Sequence, residues 1–370
     1  MVGDKAFKCQ FLILKITKFP QITIKRTGVF YTRFFLLILV GIACGSFSNK
    51  HSAFKAWHLS GYGQGTTYHI TYYSAAGQVS SKQVDSILSE IDSSLSLYKS
   101  YSLINKFNNS ASGVTVDDHF KRVVKRSVEI FCHTQGVFDV TVKPLVQAWG
   151  FGVKPISAWP DSARVNEILQ YVGSDKIHLK GHKLIKDDPA VQVDLNGIAQ
   201  GYSVDLLAEF LEKKNIRNYL VELGGEIRIR GRKQPGGQLM QIGIEAPDDN
   251  QFESSPVKRI IALDKGAITT SGNYRKFHMA GNKKISHLID PKTGYSINNE
   301  LISVTVYARD AISADGYDNA LMGMGLKNAL TLMEKRKEMG AYFIYHKPDG
   351  SVADTATAYF PEFTVQAASN

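Results

Sequence analysis

Apolar positions at three- and four-residue spacing predict a helix over 80–98, with Val84, Ile87, Leu88, Ile91 and Leu95 on one side. The same period puts Phe120, Val123, Val124, Val128 and Phe131 on one face of a helix over 117–133. A shorter helix is predicted over 162–172. Another runs from Ile198 to Leu211 with Ile198, Tyr202, Leu206 and Phe210 together, and a further helix begins in SADGYDNALMGMG (313–325). Period-two and β-branched runs predict strands: GYGQGTTYHITYY (61–73), VQVDL (191–195), QIGIEAP (241–247), RIIALD (259–264), ISVTVYA (302–308) and GAYFIYH (340–346). YLVELGGEIRIRG (219–231) reads as a hairpin about Gly224-Gly225. Strands outnumber helices and do not alternate regularly with them. This predicts an α+β fold of mixed, largely antiparallel sheets with flanking helices, forming one unit.

The segment KKISHLIDPKTGY (283–295) poses a chemical question. Read as a strand, it puts Ile285, His287 and Ile289 on one face and Ser286 and Leu288 on the other. Asp290-Pro291 ends the run because Pro has no N–H to donate, and Gly294 suits a turn with positive φ. A histidine there is either a core residue satisfied by one hydrogen bond or a site residue held at a strand edge.

Composition narrows the classes. The chain has 370 residues, 44% hydrophobic and 21% charged, which argues for a well-packed globular protein. Its formal charge of +10 is concentrated at the start. Residues 1–43 carry seven Lys or Arg against Asp4 alone, leaving the rest at +4, too mild for a nucleic-acid partner. FFLLILVGIAC (34–44) is too short to span a bilayer, which takes about 20 residues, and follows a basic stretch. Ending at Cys44, it resembles a bacterial lipoprotein signal, with Gly41 where that signal usually has Leu. An ordinary signal peptide and an uncleaved anchor are the other readings, and all three imply export. The predicted organisation is a leader over 1–44, a polar tether over 45–60 and one domain over 61–370. The three cysteines, Cys9, Cys44 and Cys132, are too few and too scattered for a disulfide framework or a zinc site.

Three further segments carry candidate chemistry. In SADGYDNA, Asp315 and Asn319 are four apart on a helix, with Asp318 nearly on the same face. Such oxygen donors suit a hard cation such as Mg²⁺, or the acids complement the helix dipole with Ser313 as cap. In VDLNGIAQGYSVD a strand breaks at Asn196-Gly197 into a helix. That break offers free N–H groups for a phosphate and an exposed carbonyl for a metal, or is simply a tight turn with Asp194 as cap. AITTSGNY (267–274) permits close backbone approach to a ligand and also fits an ordinary loop. GYGQGT is not a dinucleotide fingerprint, because Thr66 stands where the third Gly belongs.

Taken in order, GVFDVTVKPLVQAWGFG (136–152), VDLNGIAQGYSVD, LVELGGEIRIRG, TTSGNYRKF, SHLIDPKTG and SADGYDNALMGMG resemble the ApbE-type flavin transferases, the FAD:protein FMN transferases. GTTYHI and LYKSYSLINKFN (97–108) match as well, so the resemblance covers roughly residues 60–345. It implies Mg²⁺-dependent cleavage of FAD and transfer of FMN to a Thr or Ser hydroxyl of a partner protein, releasing AMP. The partners implied are exported flavoprotein subunits of membrane redox complexes, which would put the chain on the periplasmic side of the inner membrane as a lipoprotein. By resemblance, Asp315 and the Gly197 carbonyl are metal ligands, joined by Asn319, where the family often has Thr. The implied FAD contacts are Gln64, Tyr98, Val137, Phe138, Asp139, Asp194, Gln200, His287 and Ile289. Gln64 stands where Met is frequent, and Gln200 replaces the usual Lys, removing one positive charge. His287 is implied as general base or phosphate contact and Asp315 as catalytic through the metal. An FAD pyrophosphatase giving FMN and AMP, and a non-catalytic flavin-binding lipoprotein, remain as alternatives.

Overall fold

Eight strands form the central sheet of the computed structural model, which describes residues 54–245, 257–273, 277–280 and 283–364. They are Lys55–Gly63, Thr66–Ser74, Tyr219–Leu223, Glu226–Arg230, Lys265–Gly272, Leu301–Ala308, Gly340–His346 and Val352–Ala356. Their spatial order is their chain order, and every neighbouring pair is antiparallel. The sheet is thus a meander into whose connections everything else is inserted, as the predicted antiparallel α+β architecture requires.

Both faces of the sheet are covered, and the pleat decides which residue goes where. Leu301, Val304, Val306, Ala341 and Phe343 enter the core shared with the helices. Their neighbours Ile302, Tyr342 and Ile344 point to a second core under Met240, Ile242, Ile244 and Ile261 of a three-stranded sheet formed by Met240–Glu245, Val257–Leu263 and Phe363–Thr364. Central strands therefore read as almost continuous apolar runs. The helices Ser81–Leu95, Asp118–His133, Ala199–Lys213 and Ala311–Glu334 contribute buried faces to the first core. A third cluster around Leu145, Trp149, Val165, Ile285 and Ile289 fixes the segments bordering the site.

Several expectations are corrected. Residues 55–60, assigned by sequence to a tether, belong to the first strand. The run 61–73 is divided by a two-residue turn at Gln64 (φ 53°) and Gly65 (φ 79°). VQVDL is not a strand: the Asn108 side chain bonds both ways with Val193 (2.7 and 3.0 Å), and the Asp194 N–H donates to the Val140 carbonyl at 2.7 Å. A side chain thus replaces a neighbouring strand. In Ala199–Lys213 the buried face includes Gly201, Val204, Asp205 and Ala208, while Leu206 and Phe210 are only partly buried. The leader 1–44, Cys44 included, the tether to residue 53, and residues 246–247 and 274 of two predicted motifs lie outside the described residues.

Candidate active site

The segment that raised the question of His287 forms a shorter strand than predicted, Lys283–Ser286. The Ser286 N–H donates to the Ser296 hydroxyl at 2.9 Å instead of continuing a ladder. The chain bends at His287 and closes a small loop through Ile297 N–H to Leu288 carbonyl (2.9 Å) and Asp290 N–H to Tyr295 carbonyl (2.8 Å). The strict alternation expected for Ile285, His287 and Ile289 therefore ends at Ser286. The two isoleucines are buried, whereas half-buried His287 lines a cavity together with Leu288 and Ile289. Its ring stands edge-on to Phe151, with centroids 6.3 Å apart.

That open cavity, about 210 Å³, gathers five stretches distant in sequence: Tyr98; Val137 to Phe151; Asp194, Asn196 and Gly197; His287 to Ile297; and Asn319. Its apolar lining comes from Val137, Phe138, Val140, Val142, Val146, Phe151, Leu288, Ile289 and Ile297. Its polar lining comes from Asp139, Asp194, Asn196, the Gly197 backbone, His287 and Asn319. Tyr98 is 68% exposed at the rim. A lining of mixed apolar and polar groups suits a ligand in which a flat ring system is joined to a charged group.

Asp139 lines this cavity, yet its carboxylate is committed elsewhere. It accepts from the Thr141 N–H (2.8 Å) and hydroxyl (2.6 Å), and from the Ser174 N–H (2.9 Å) and hydroxyl (2.7 Å). Burial raises its pKa against those four bonds. The residue thus locks the loop that presents Val137 and Phe138. Asp194 accepts from the Asn196 N–H at 2.8 Å, tightening the turn before Gly197. Burial raises its pKa, opposed by the Asn196 N–H and the Lys143 ammonium. Sequence reading passed over Lys143; only the fold brings it near Asp194.

Behind Asn319 lies a buried acidic pair. Asp315 and Asp318 are 3% and 2% exposed. Neither sits in the first turn of its helix: Asp310, not Ser313, is the cap, accepting from the Ser313 N–H at 3.1 Å. The helix-dipole reading of these acids is therefore superseded. Ala199–Lys213 crosses closely enough for the Gly201 N–H to donate to Asp315 Oδ2 at 2.8 Å. A Cβ at Gly201 would lie 2.3 Å from the Ala311 carbonyl oxygen, so only glycine permits the approach. Burial, offset by that N–H and reinforced by the charge of Asp205, pushes the Asp315 pKa up to about 7. Burial and then the Asp315 charge raise Asp318 well above the carboxylate range. Asp205 is itself fully buried, ion-paired with Arg228, and accepts the Ala311 and Ile312 N–H groups at 2.9 Å each.

These residues fit a hard cation. The Asn319 amide nitrogen has two hydrogens but lies 3.0–3.4 Å from four oxygens: the Gly197 and Asp315 carbonyls, Asp315 Oδ1 and Asp318 Oδ1. Its Oδ1 faces the Ser271 hydroxyl at 3.3 Å. Acceptors outnumber donors, and carboxylate, carbonyl and amide oxygens are what Mg²⁺ takes. Among the described residues no three His, Cys, Asp or Glu side chains form a metal cluster, so a cation here would rest on this mixed donor set. Gly197, Asp315 and Asn319 are thus brought together. Gln64 and Gln200 are not among the cavity's lining. Gln64 is held in its hairpin turn, and the Gln200 amide donates to the Leu223 carbonyl at 3.2 Å.

A meander sheet backed by helices, with a cavity of mixed lining and a buried acidic pair behind Asn319, is an α+β architecture suited to a ligand with ring and charged parts. Residues 64–343 match the model of the ApbE family, and the chain belongs to that family. An FAD:protein FMN transferase of Haemophilus influenzae is 36% identical over 318 residues, covering 82% of this chain and 91% of that protein. The FAD:protein FMN transferase of Escherichia coli K12 is 32% identical, covering 81% and 87% respectively. Among solved structures, the flavin transferase ApbE from Vibrio cholerae superposes with a TM-score of 0.74 at 35% identity, covering 83% of this chain and 98% of that one. The apo flavinyl transferase ApbE of Pseudomonas stutzeri gives 0.74 at 30% identity, over 83% and 96%.

Proposed function

We propose that this chain transfers FMN from FAD to a Thr or Ser hydroxyl of an exported flavoprotein, releasing AMP in a Mg²⁺-dependent reaction. The observation that carries this is a cavity of mixed lining beside the Gly197, Asp315 and Asn319 oxygens, in a chain whose relatives bear that activity in their names. The apolar lining holds the isoalloxazine ring, and the polar lining receives the pyrophosphate. Gly197, Asp315 and Asn319 would hold Mg²⁺, which would supply positive charge against the pyrophosphate. His287, at the cavity edge, accepts the proton of the acceptor hydroxyl. The hydroxyl oxygen forms a bond to the FMN phosphorus, the bridging P–O bond breaks, and AMP leaves. The leader would deliver the enzyme as a lipoprotein to the periplasmic face of the inner membrane, beside subunits of membrane redox complexes.

The test mixes the full chain with FAD, Mg²⁺ and a flavoprotein bearing a Thr acceptor, then reads flavin fluorescence in the denatured acceptor band and assays AMP. A fluorescent band lost with chelator supports transfer. Free FMN and AMP with a dark band make the chain an FAD pyrophosphatase. Retained FAD without AMP makes it a flavin-binding protein.

A further inference from the structure

A second cavity, about 430 Å³, opens at the other end of the central sheet. Lys265 lines it, whereas Ser271 of the same strand bonds Asn319 at the active site. Six residues of strand separate the two, about 20 Å. Its charged lining is Arg228, Arg230, Lys265 and Arg309 against Glu212 and Glu338, and buried Asp205 behind Arg228 brings the local surplus to one positive charge. Two of the guanidinium groups are fixed in advance. Arg228 is held by buried Asp205, and Arg230 by Glu212 at 2.9 Å, itself steadied by the Tyr219 hydroxyl at 2.8 Å. Each still has N–H groups to offer. Lys265, Arg309 and the Tyr307 hydroxyl have no side-chain hydrogen bond or ion pair among the described residues.

Isolated surface cations need no ligand, but these converge on one concavity from the strand Glu226–Arg230, the start of Lys265–Gly272 and the end of Leu301–Ala308. We propose that this cavity is a second, anion-binding site that takes a phosphate monoester. Such a group carries about −1.5 to −2 charge at pH 7, which the unpaired Lys265 and Arg309 would meet, and its oxygens fit the planar donor fork of arginine. The volume leaves room for a small organic substituent. Two sources share this chemistry: a soluble phosphomonoester and the headgroup of phosphatidic acid.

The test uses the full chain with excess FAD, so that the active-site pocket is filled. Inorganic phosphate is titrated calorimetrically into wild type, Lys265→Arg, and the Lys265→Ala/Arg309→Ala double variant. Co-flotation with phosphatidylcholine vesicles, with and without phosphatidic acid, runs in parallel. Both replaced side chains are exposed, so thermal midpoints without phosphate should agree. We expect saturable binding by wild type and Lys265→Arg and at least a tenfold weaker affinity in the double variant. Phosphatidic-acid-dependent flotation lost in the double variant identifies the lipid source, and phosphate binding without it the soluble one. Equal affinity in the double variant, or saturation by neither probe, overturns the proposal.

Discussion

Replacing Asp315 by Asn should stabilise the cation-free protein while destroying its activity. The carboxyl sits at about 7 instead of the ordinary 3.8, chiefly because it is buried. Between those values the folded chain keeps a proton that the unfolded chain releases. The Asp315 contribution to stability therefore falls as pH rises from about 4 to about 7 and levels off above. The gap corresponds to about 4 kcal/mol. The neutral amide of Asp315→Asn would carry no such cost, but the Gly201 N–H would then donate to an uncharged acceptor, giving back about 1 kcal/mol. The net gain at pH 8 is about 2–3 kcal/mol, and at about 2 °C per kcal/mol for a chain of this size the melting temperature rises by roughly 4–6 °C. The assay is thermal unfolding of both proteins in chelator between pH 4 and pH 8, repeated with saturating Mg²⁺. The curves should converge near pH 4 and separate above it. Mg²⁺ should raise the midpoint of the wild type alone, by mass action. FMN transfer by Asp315→Asn should fall at least about a hundredfold. If both proteins melt together at pH 8 in chelator and gain equally from Mg²⁺, Asp315 is neither a costly buried acid nor a cation ligand.

Other substitutions probe the surroundings of that pair. His287→Ala should lower FMN transfer by about 10²–10⁴ with FAD affinity retained, read by steady-state kinetics and flavin titration; weaker FAD binding at unchanged turnover would make His287 a binder only. Asp205→Ala would strand the Arg228 guanidinium and two helix N–H groups, costing about 3–5 kcal/mol in urea unfolding, and a loss below 1 kcal/mol would refute the buried-pair account. Asp139→Ala removes the acceptor of four hydrogen bonds and should cost about 2–4 kcal/mol, with FAD affinity falling as the Val137–Phe138 loop loosens. Unchanged stability there would mean that the loop is held by its apolar contacts.

The sequence is most legible where one local rule decides the outcome. Leu88, Ile91 and Leu95 fall on the buried side of a helix because nothing competes with the 3.6-residue period. The hairpin about Gly224-Gly225 forms as read. Legibility fails where a side chain from far away takes the place of backbone. Asn108 binds Val193 and spoils a perfect strand pattern, and Ser296 ends the strand before His287. The candidate site shows the same divide. Helical spacing alone paired Asp315 with Asn319, but only resemblance linked them to Gly197 and to the 137–139, 194 and 287–289 segments that the cavity gathers. Resemblance also offered Gln64 and Gln200, which the fold keeps outside the lining.

An acid near a helix start ordinarily complements the helix dipole on a wetted surface, and nothing in SADGYDNA says otherwise. The difference is burial, decided elsewhere in the chain. Gly201 lets Ala199–Lys213 close over the second turn of the other helix, and Asp205 on that same helix adds to the charge there. Among the described residues no Lys or Arg forms an ion pair with Asp315 or Asp318. Two buried acids side by side, raising each other's cost of ionisation, are a liability to the fold. On the proposed reading, a cation held there would offset that cost by favouring the ionised carboxylates. Tight packing at Gly201 and acidity at Asp315 are therefore one arrangement. A substitution that loosens the helix crossing, such as Gly201→Ala, should weaken Mg²⁺ binding before it unfolds the chain. Comparing the Mg²⁺ affinity and the melting temperature of that variant tests this order, and equal losses in both would refute it.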